Sequence, residues 1–324
     1  MLRRRLKNSH ILVVGGAGFI GSHLVDRLLA EGAREIVVVD NLFTGSEKNL
    51  NSAINSNKVV FYREDAEFTS SLNYIFNKHD IDITFNCATK ALNYSFINPA
   101  NSFSPNVSVV LNLLEMQRAG FFETLCHFST SEVYGSAIYE PMDEFHPRVP
   151  TTSYAAGKAA ADLAVESYVR MFNLDAFIVR PFNNYGPRQN HEGPLAGIIP
   201  VTAKRILSCE EPEIHGDGSQ TRDFIFVSDT VDAVVNLYEK LDKADAVNIC
   251  SDNQLSVSDV VRMVATKLNY CGKFRKKTRR SADVANHIGD NAKIHNLISF
   301  QTTSFEEGLV ETIDFYKQVI EDKR

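Results

Sequence analysis

Short aliphatic runs alternate with helical patterns through the first half of the chain. Residues 11–14, 36–39, 59–62, 81–86, 125–128 and 176–179 read as strands. The first two are apolar at every position, which suits strands buried on both faces. Between the runs, Ile20, Leu24 and Leu28 fall near helical spacing within 19–31, and 70–78 reads as a helix. Val107, Val110, Leu111 and Leu114 mark one face of a helix over 101–118, and an Ala-rich helix follows over 155–172. Strand–helix alternation of this kind predicts an α/β fold with a doubly wound parallel sheet.

The texture changes after Arg180. Pro181, Gly186, Pro187, Gly193, Pro194 and Gly197 punctuate an irregular stretch. A helix is expected over 200–208, then a turn at Gly216 and Gly218, an apolar run at 224–227, a helix over 229–241 and a strand at 246–249. Residues 256–324 read as helical and charged. The pattern divides the chain into a main domain over 1–182 and a smaller lobe over 183–324. The chain is expected to return to the main sheet at about 225–250.

A length of 324 residues suits two domains or one large α/β unit. With 34 Lys plus Arg against 40 Asp plus Glu, the net charge is −6, so the chain carries no overall basic footprint for nucleic acid. Anion sites can still be built locally from backbone N–H groups and a few arginines. Cys87, Cys126, Cys209, Cys250 and Cys271 are scattered and show no paired spacing, which reads as free thiols in a reducing compartment. No apolar run reaches the ~18 residues of a membrane span. Arg3–Arg5 precede an apolar stretch too short for a signal-peptide core. The expectation is a soluble, cytoplasmic protein with no membrane or nucleic-acid partner. The nine histidines show no metal-ligand spacing, so no metal is expected.

Gly15, Gly16, Ala17, Gly18, Phe19, Ile20 and Gly21 sit between the first strand and the first helix. Glycines there allow a tight turn, close backbone approach to a pyrophosphate, and close helix–strand packing. Asp40 ends the second strand nineteen residues past Gly21, near the offset expected for an acid that binds a ribose. Its carboxylate would repel a 2′-phosphate, and no arginine follows in 41–46. This favours NAD over NADP.

The glycine turn followed by Val39, Asp40 and Asn41 resembles the extended short-chain dehydrogenase/reductase superfamily, specifically its nucleotide-sugar epimerases and dehydratases. The resemblance runs to about residue 315. It implies a Rossmann sheet with a substrate lobe. It also implies a cofactor site built from Gly15, Gly18, Phe19, Ile20, Gly21, Asp40, Asn41, Asp65 and Ala66, with Asp65 reaching the adenine. After the fourth strand the family usually carries a His-x-Ala-Ala-like motif. Here Asn86, Cys87, Ala88, Thr89 and Lys90 stand instead, and Lys90 resembles a lysine that some epimerases place near the cofactor.

Tyr154 and Lys158 form Tyr-x-x-x-Lys, which puts both side chains on one helical face. A tyrosine with a pKa near ~10 is a poor base at neutral pH, and a neighbouring cation lowers that value. Thr130, Ser131 and Glu132 follow the fifth strand, at the sheet end where open α/β folds bind ligands. By resemblance Thr130 bonds the sugar 4-hydroxyl. Simple 4-epimerases of the family generally have a small, non-acidic residue at the Glu132 position; enzymes that also act at C5 and C6 have a glutamate. Tyr154, Lys158, Thr130 and Glu132 are thus the implied catalytic set. Ser131, Asn183, Arg188, Arg222 and Arg280 are the implied contacts to a nucleoside-diphosphate hexose. The leading reading is an NAD-dependent nucleotide-sugar 4,6-dehydratase. A 4-epimerase, a uronate decarboxylase and a non-catalytic NAD-binding redox sensor stay open. The family pairs the helices at 101–118 and 155–172 into a four-helix bundle, which implies a homodimer.

Overall fold

The computed structural model describes residues 3–278, 284 and 286–321. The first half contains β1 (His10–Val14), α1 (Phe19–Ala30), β2 (Glu35–Val39), α2 (Asn51–Ile54), β3 (Val59–Tyr62), α3 (Thr69–Lys78), β4 (Ile83–Asn86), α4 (Pro99–Arg118), β5 (Thr124–Phe128), α5 (Ser153–Phe172) and β6 (Asp175–Pro181). The second half contains β7 (Asn183–Tyr185), α6 (Ile198–Leu207), β8 (Glu213–His215), β9 (Thr221–Phe226), α7 (Val227–Leu237), β10 (Ala246–Ile249), β11 (Gln254–Ser256), α8 (Val257–Lys267), β12 (Arg275–Lys277), α9 (Ala292–Leu297) and α10 (Phe305–Glu321).

Seven parallel strands form the main sheet in the order β10-β6-β5-β4-β1-β2-β3. The order reverses between β1 and β4, which opens a crevice above their C-terminal ends. Each face of the sheet is covered. Leu24, Leu28, Val231 and Leu237 belong to the core on one side. Val110, Leu113, Leu114, Ala161 and Val165 of α4 and α5 belong to the core on the other. The aliphatic runs are therefore buried on both faces, as their lack of alternation implies.

The chain leaves the sheet after β6 and returns with β10, whose Val247 pairs with Val179. A separate apolar cluster of Tyr185, Phe224, Phe226, Phe305, Leu309 and Tyr316 holds the second half together. It packs around a small sheet of order β11-β9-β7, beside a two-stranded β12–β8 ladder. The expectation of helix over 256–324 is corrected by β12 and by an irregular stretch before α9. The strands β7, β8, β11 and β12 have three residues each, too short to carry a period in the sequence. The N-terminal Arg3 is structural: it donates to both Asp175 oxygens, at 2.9 and 2.8 Å, and lies 4.5 Å from the Phe177 ring centre. Among the described residues no helix is long and apolar enough to cross a membrane, and no three His, Cys, Asp or Glu side chains cluster to hold a metal.

Candidate active site

A cavity of about 730 Å³ lies in the crevice. The main sheet contributes Gly15, Gly18, Phe19, Ile20, Gly21, Asp40, Asn41, Asp65, Ala66, Thr89, Lys90 and Glu132 to its wall. The second half contributes Asn183, Thr202, His215, Gln220 and Arg222.

The glycine turn is shaped for a phosphate group. Gly15 has φ +78°, and a Cβ there would come within 2.6 Å of the Ala88 nitrogen. A Cβ on Gly21 would meet the Gly15 carbonyl at 2.2 Å, so that glycine lets α1 approach β1. Helix α1 begins at Phe19 after Gly18 with no side-chain cap on its first N–H groups, and Gly18, Phe19, Ile20 and Gly21 line the cavity. Asp40 braces the turn: its carboxylate accepts from the N–H of Ala17 at 3.0 Å and of Leu42 at 2.8 Å. Burial raises its pKa, and these bonds oppose the rise. The Asn41 amide donates to Asp65 at 2.7 Å, which fixes the next two acceptors along the wall. The Lys90 ammonium stands 3.9 Å from the Phe43 ring centre, and Phe43 meets Tyr94 edge-on. Uncapped helix N-terminus, bare glycines and an oriented carboxylate fit a dinucleotide.

Beyond this wall the catalytic candidates converge. Thr130 caps the short turn 131–134, its hydroxyl accepting from the Glu132 N–H at 3.3 Å. Thr152 caps α5 through the Ala155 N–H, and the Ser95 hydroxyl accepts from the Tyr154 N–H at 3.0 Å. These caps seat the first turn of α5 against the loop after β4. The Tyr154 hydroxyl then lies near the side chains of Thr130 and Thr89, which ease its ionisation, with the Glu132 charge nearby. Burial pushes this phenol up to about 12, and the Glu132 carboxylate adds to the rise. One turn on, Lys158 donates to the Phe128 carbonyl at 2.8 Å and to the Ala88 carbonyl at 3.4 Å. Burial pushes its ammonium down to about 8, and Asp162 resists this. Asp162 is fully buried, and its carboxylate accepts from Arg180 at 3.0 Å.

Of the expected catalytic residues only Glu132 lines the cavity, with Thr130, Tyr154 and Lys158 behind its wall, and two expected substrate contacts do not line it either. The Ser131 hydroxyl faces His287, 3.4 Å from Nδ1, and Ser131 is 2% exposed. Arg188 pairs with Asp26 of α1 at 2.7 Å, so its charge is committed outside the cavity wall. Arg280 lies outside the described residues. Thr89, Ser95, Asp162 and His287 adjoin the expected residues, and the sequence pattern did not single them out. Asp162 had a signal, since it extends the i, i+4 row of Tyr154 and Lys158 by one more turn. His287 had none, being 156 residues from its partner.

The family model described as GDP-mannose 4,6 dehydratase matches residues 12–312. The chain belongs to that family, among the nucleotide-sugar epimerases and dehydratases. This epimerase/dehydratase is 31% identical over 309 residues to the UDP-glucose 4-epimerase of Mycolicibacterium smegmatis, covering 94% of this chain and 98% of the relative. It superimposes with a TM-score of 0.90 on the UDP-glucose 4-epimerase of Thermotoga maritima, 31% identical, over 96% of this chain and 99% of the other. The dTDP-glucose 4,6-dehydratase of Streptomyces venezuelae, solved with NAD, also gives 0.90, at 27% identity and with 95% and 97% coverage. Curated relatives at 28–34% identity carry three reaction names: epimerase, dehydratase and decarboxylase. The epimerase/dehydratase is thus placed in a family of enzymes whose members differ in the reaction they complete on the sugar.

Proposed function

We propose that this protein is an NAD-dependent nucleotide-sugar 4,6-dehydratase. The observation that carries the reading is Glu132, a carboxylate in the cavity wall beside the Tyr154 phenol. Bound NAD⁺ supplies the hydride acceptor at C4 and the donor for its return to C6. Tyr154 takes the 4-hydroxyl proton, with Thr130 sharing that hydrogen bond and the Lys158 charge favouring the phenolate. The resulting ketone acidifies the C5 proton, which Glu132 removes. The same proton passes from Glu132 to the departing 6-hydroxyl, so that water leaves and the carboxylate is regenerated; as hydride returns to C6, a proton from solvent is delivered to C5. Asn183 and Arg222 are the proposed diphosphate contacts. The Asn183 amide nitrogen is buried in the wall without a protein partner, and Arg222 lines the same wall.

The 4-epimerase reading is favoured by the 31% identity to two UDP-glucose 4-epimerases. Incubation with a panel of UDP-, dTDP-, GDP- and CDP-hexoses and a nucleotide-linked uronate, read by mass, separates the readings. Loss of water supports the dehydratase. Unchanged mass at a new retention time means epimerase, and loss of carbon dioxide from a uronate means decarboxylase.

The cofactor is expected to purify with the protein as NAD(H). The Asp40 carboxylate already accepts two backbone N–H bonds at this place, so its negative charge is fixed against a 2′-phosphate. Mass analysis of the released cofactor showing mainly NADP(H) overturns this assignment.

A homodimer through α4 and α5 is also proposed. These helices expose Phe103, Leu111 and Leu163, although their other faces are buried in the core. Light scattering at micromolar concentration should give twice the 36.2 kDa chain mass; a monomer mass refutes it.

A further inference from the structure

The turn that carries Glu132 is held from behind by a buried imidazole. His287 is 0% exposed and contacts Ser131 at two points. Its Nε2–H donates to the Ser131 carbonyl at 3.2 Å, and its Nδ1 accepts from the Ser131 hydroxyl at 3.4 Å. This pairing fixes the Nε2–H tautomer. The ring also packs against Phe182, 5.2 Å between centres. His287 does not line the cavity, and neither does Ser131. Burial, with the Arg222 charge in support, pushes the imidazole down to about 3. It therefore stays neutral and serves as neither acid nor base toward the sugar.

The segment around His287 is anchored to the proposed phosphate contact. Arg222 donates to the Val284 carbonyl at 2.8 Å. Its neighbour Asp223 accepts from the Gly289 N–H at 3.4 Å, and the Ile288 carbonyl accepts from the Met142 N–H at 2.9 Å. Both ends of this bridge adjoin the chemistry: Ser131 is bonded to Glu132, and Arg222 lines the cavity. We infer that His287 is a positioning residue for Glu132, holding the catalytic turn against the diphosphate-binding segment through its paired bonds to Ser131. The inference rests on the dehydratase reading. It assigns His287 to the C5–C6 elimination and not to oxidation at C4, because Tyr154 is seated by α5 and the β4 loop instead.

The test compares His287→Leu, which fills the space without a hydrogen bond, with His287→Gln, whose amide can donate to the Ser131 carbonyl. First, wild-type turnover in D₂O, with deuterium found at C5 and water lost, tests the dehydratase reading by itself. A C4 epimer without deuterium overturns that reading and this inference with it. Given a dehydrating wild type, His287→Leu should lower kcat for dehydration about 10–100-fold, the scale of a small misplacement of a reacting group. NADH should accumulate in its first turnover, and nucleoside-diphosphate affinity should stay within about twofold. His287→Gln should recover most of the rate. A folded His287→Leu with unchanged kcat overturns the inference. So does a variant in which diphosphate affinity, NADH formation and dehydration all fall together, since that is a general loss of structure. Should His287→Leu not fold, His287→Asn, which keeps a polar group on the Nδ1 side only, repeats the comparison with the same outcomes.

Discussion

Tyr154→Phe is expected to keep its fold and bound cofactor and to lose turnover by about 10²–10⁴-fold, the range for losing a positioned acid–base group. The phenol lies beside Thr130 and Thr89, and only its oxygen is removed. The caps on α5 come from Thr152 and Ser95, so the helix start does not depend on that oxygen. Burial opposes ionisation of the phenol, so a cation is needed to make it a base. Lys158 sits one turn away and is still mostly protonated at pH 7, being pushed down only to about 8. Asp162 helps to keep that charge in place; burial raises the Asp162 pKa, and Arg180 opposes that rise. Steady-state rates with the accepted nucleotide sugar, together with mass analysis of the retained cofactor, check this. Turnover at the wild-type rate removes Tyr154 from the chemistry.

Glu132→Gln is expected to stop the reaction halfway. Glutamine keeps the size and the backbone N–H bond to Thr130 but cannot take a proton from C5. Tyr154 and Lys158 are untouched, so oxidation at C4 proceeds. The NADH absorbance band should rise to about one equivalent per site and stay, with no 4-keto-6-deoxy product. The expected loss in product formation is again about 10²–10⁴-fold. Ser131 cannot substitute, because its hydroxyl is turned to His287. Retained dehydration in this variant sinks the mechanism.

The main sheet was legible because its strands are buried on both faces, so the aliphatic runs 11–14 and 36–39 leave no alternative helix face to satisfy. The glycine turn and Asp40 were legible because their geometry is nearly local: the end of β1, the turn and the end of β2 supply the backbone groups that Asp40 braces. The lobe was harder to read. Its strands β7, β8 and β11 pair across long sequence separations, and three residues cannot show a period. The place of Arg188 was hidden for a related reason. It lies among proline and glycine at a strand-to-lobe crossover, where charge and position suggest phosphate, yet tertiary packing brings Asp26 to it first. Thr89 and His287 become visible only once β4, α5 and the segment before α9 are brought together.

The return of the chain through β10 has a bearing on how the protein is made. A ribosome adds about 5–20 residues per second, so β6 emerges several seconds before β10 can reach it. During that interval the nascent sheet ends on β6, whose Ala176–Val179 core positions are fully buried in the finished molecule. A bare edge of this kind offers unpaired N–H and C=O groups to any other extended segment. The window of greatest exposure to misassembly thus falls during synthesis of the first part of the substrate half, and the main sheet cannot be completed until that part has been made.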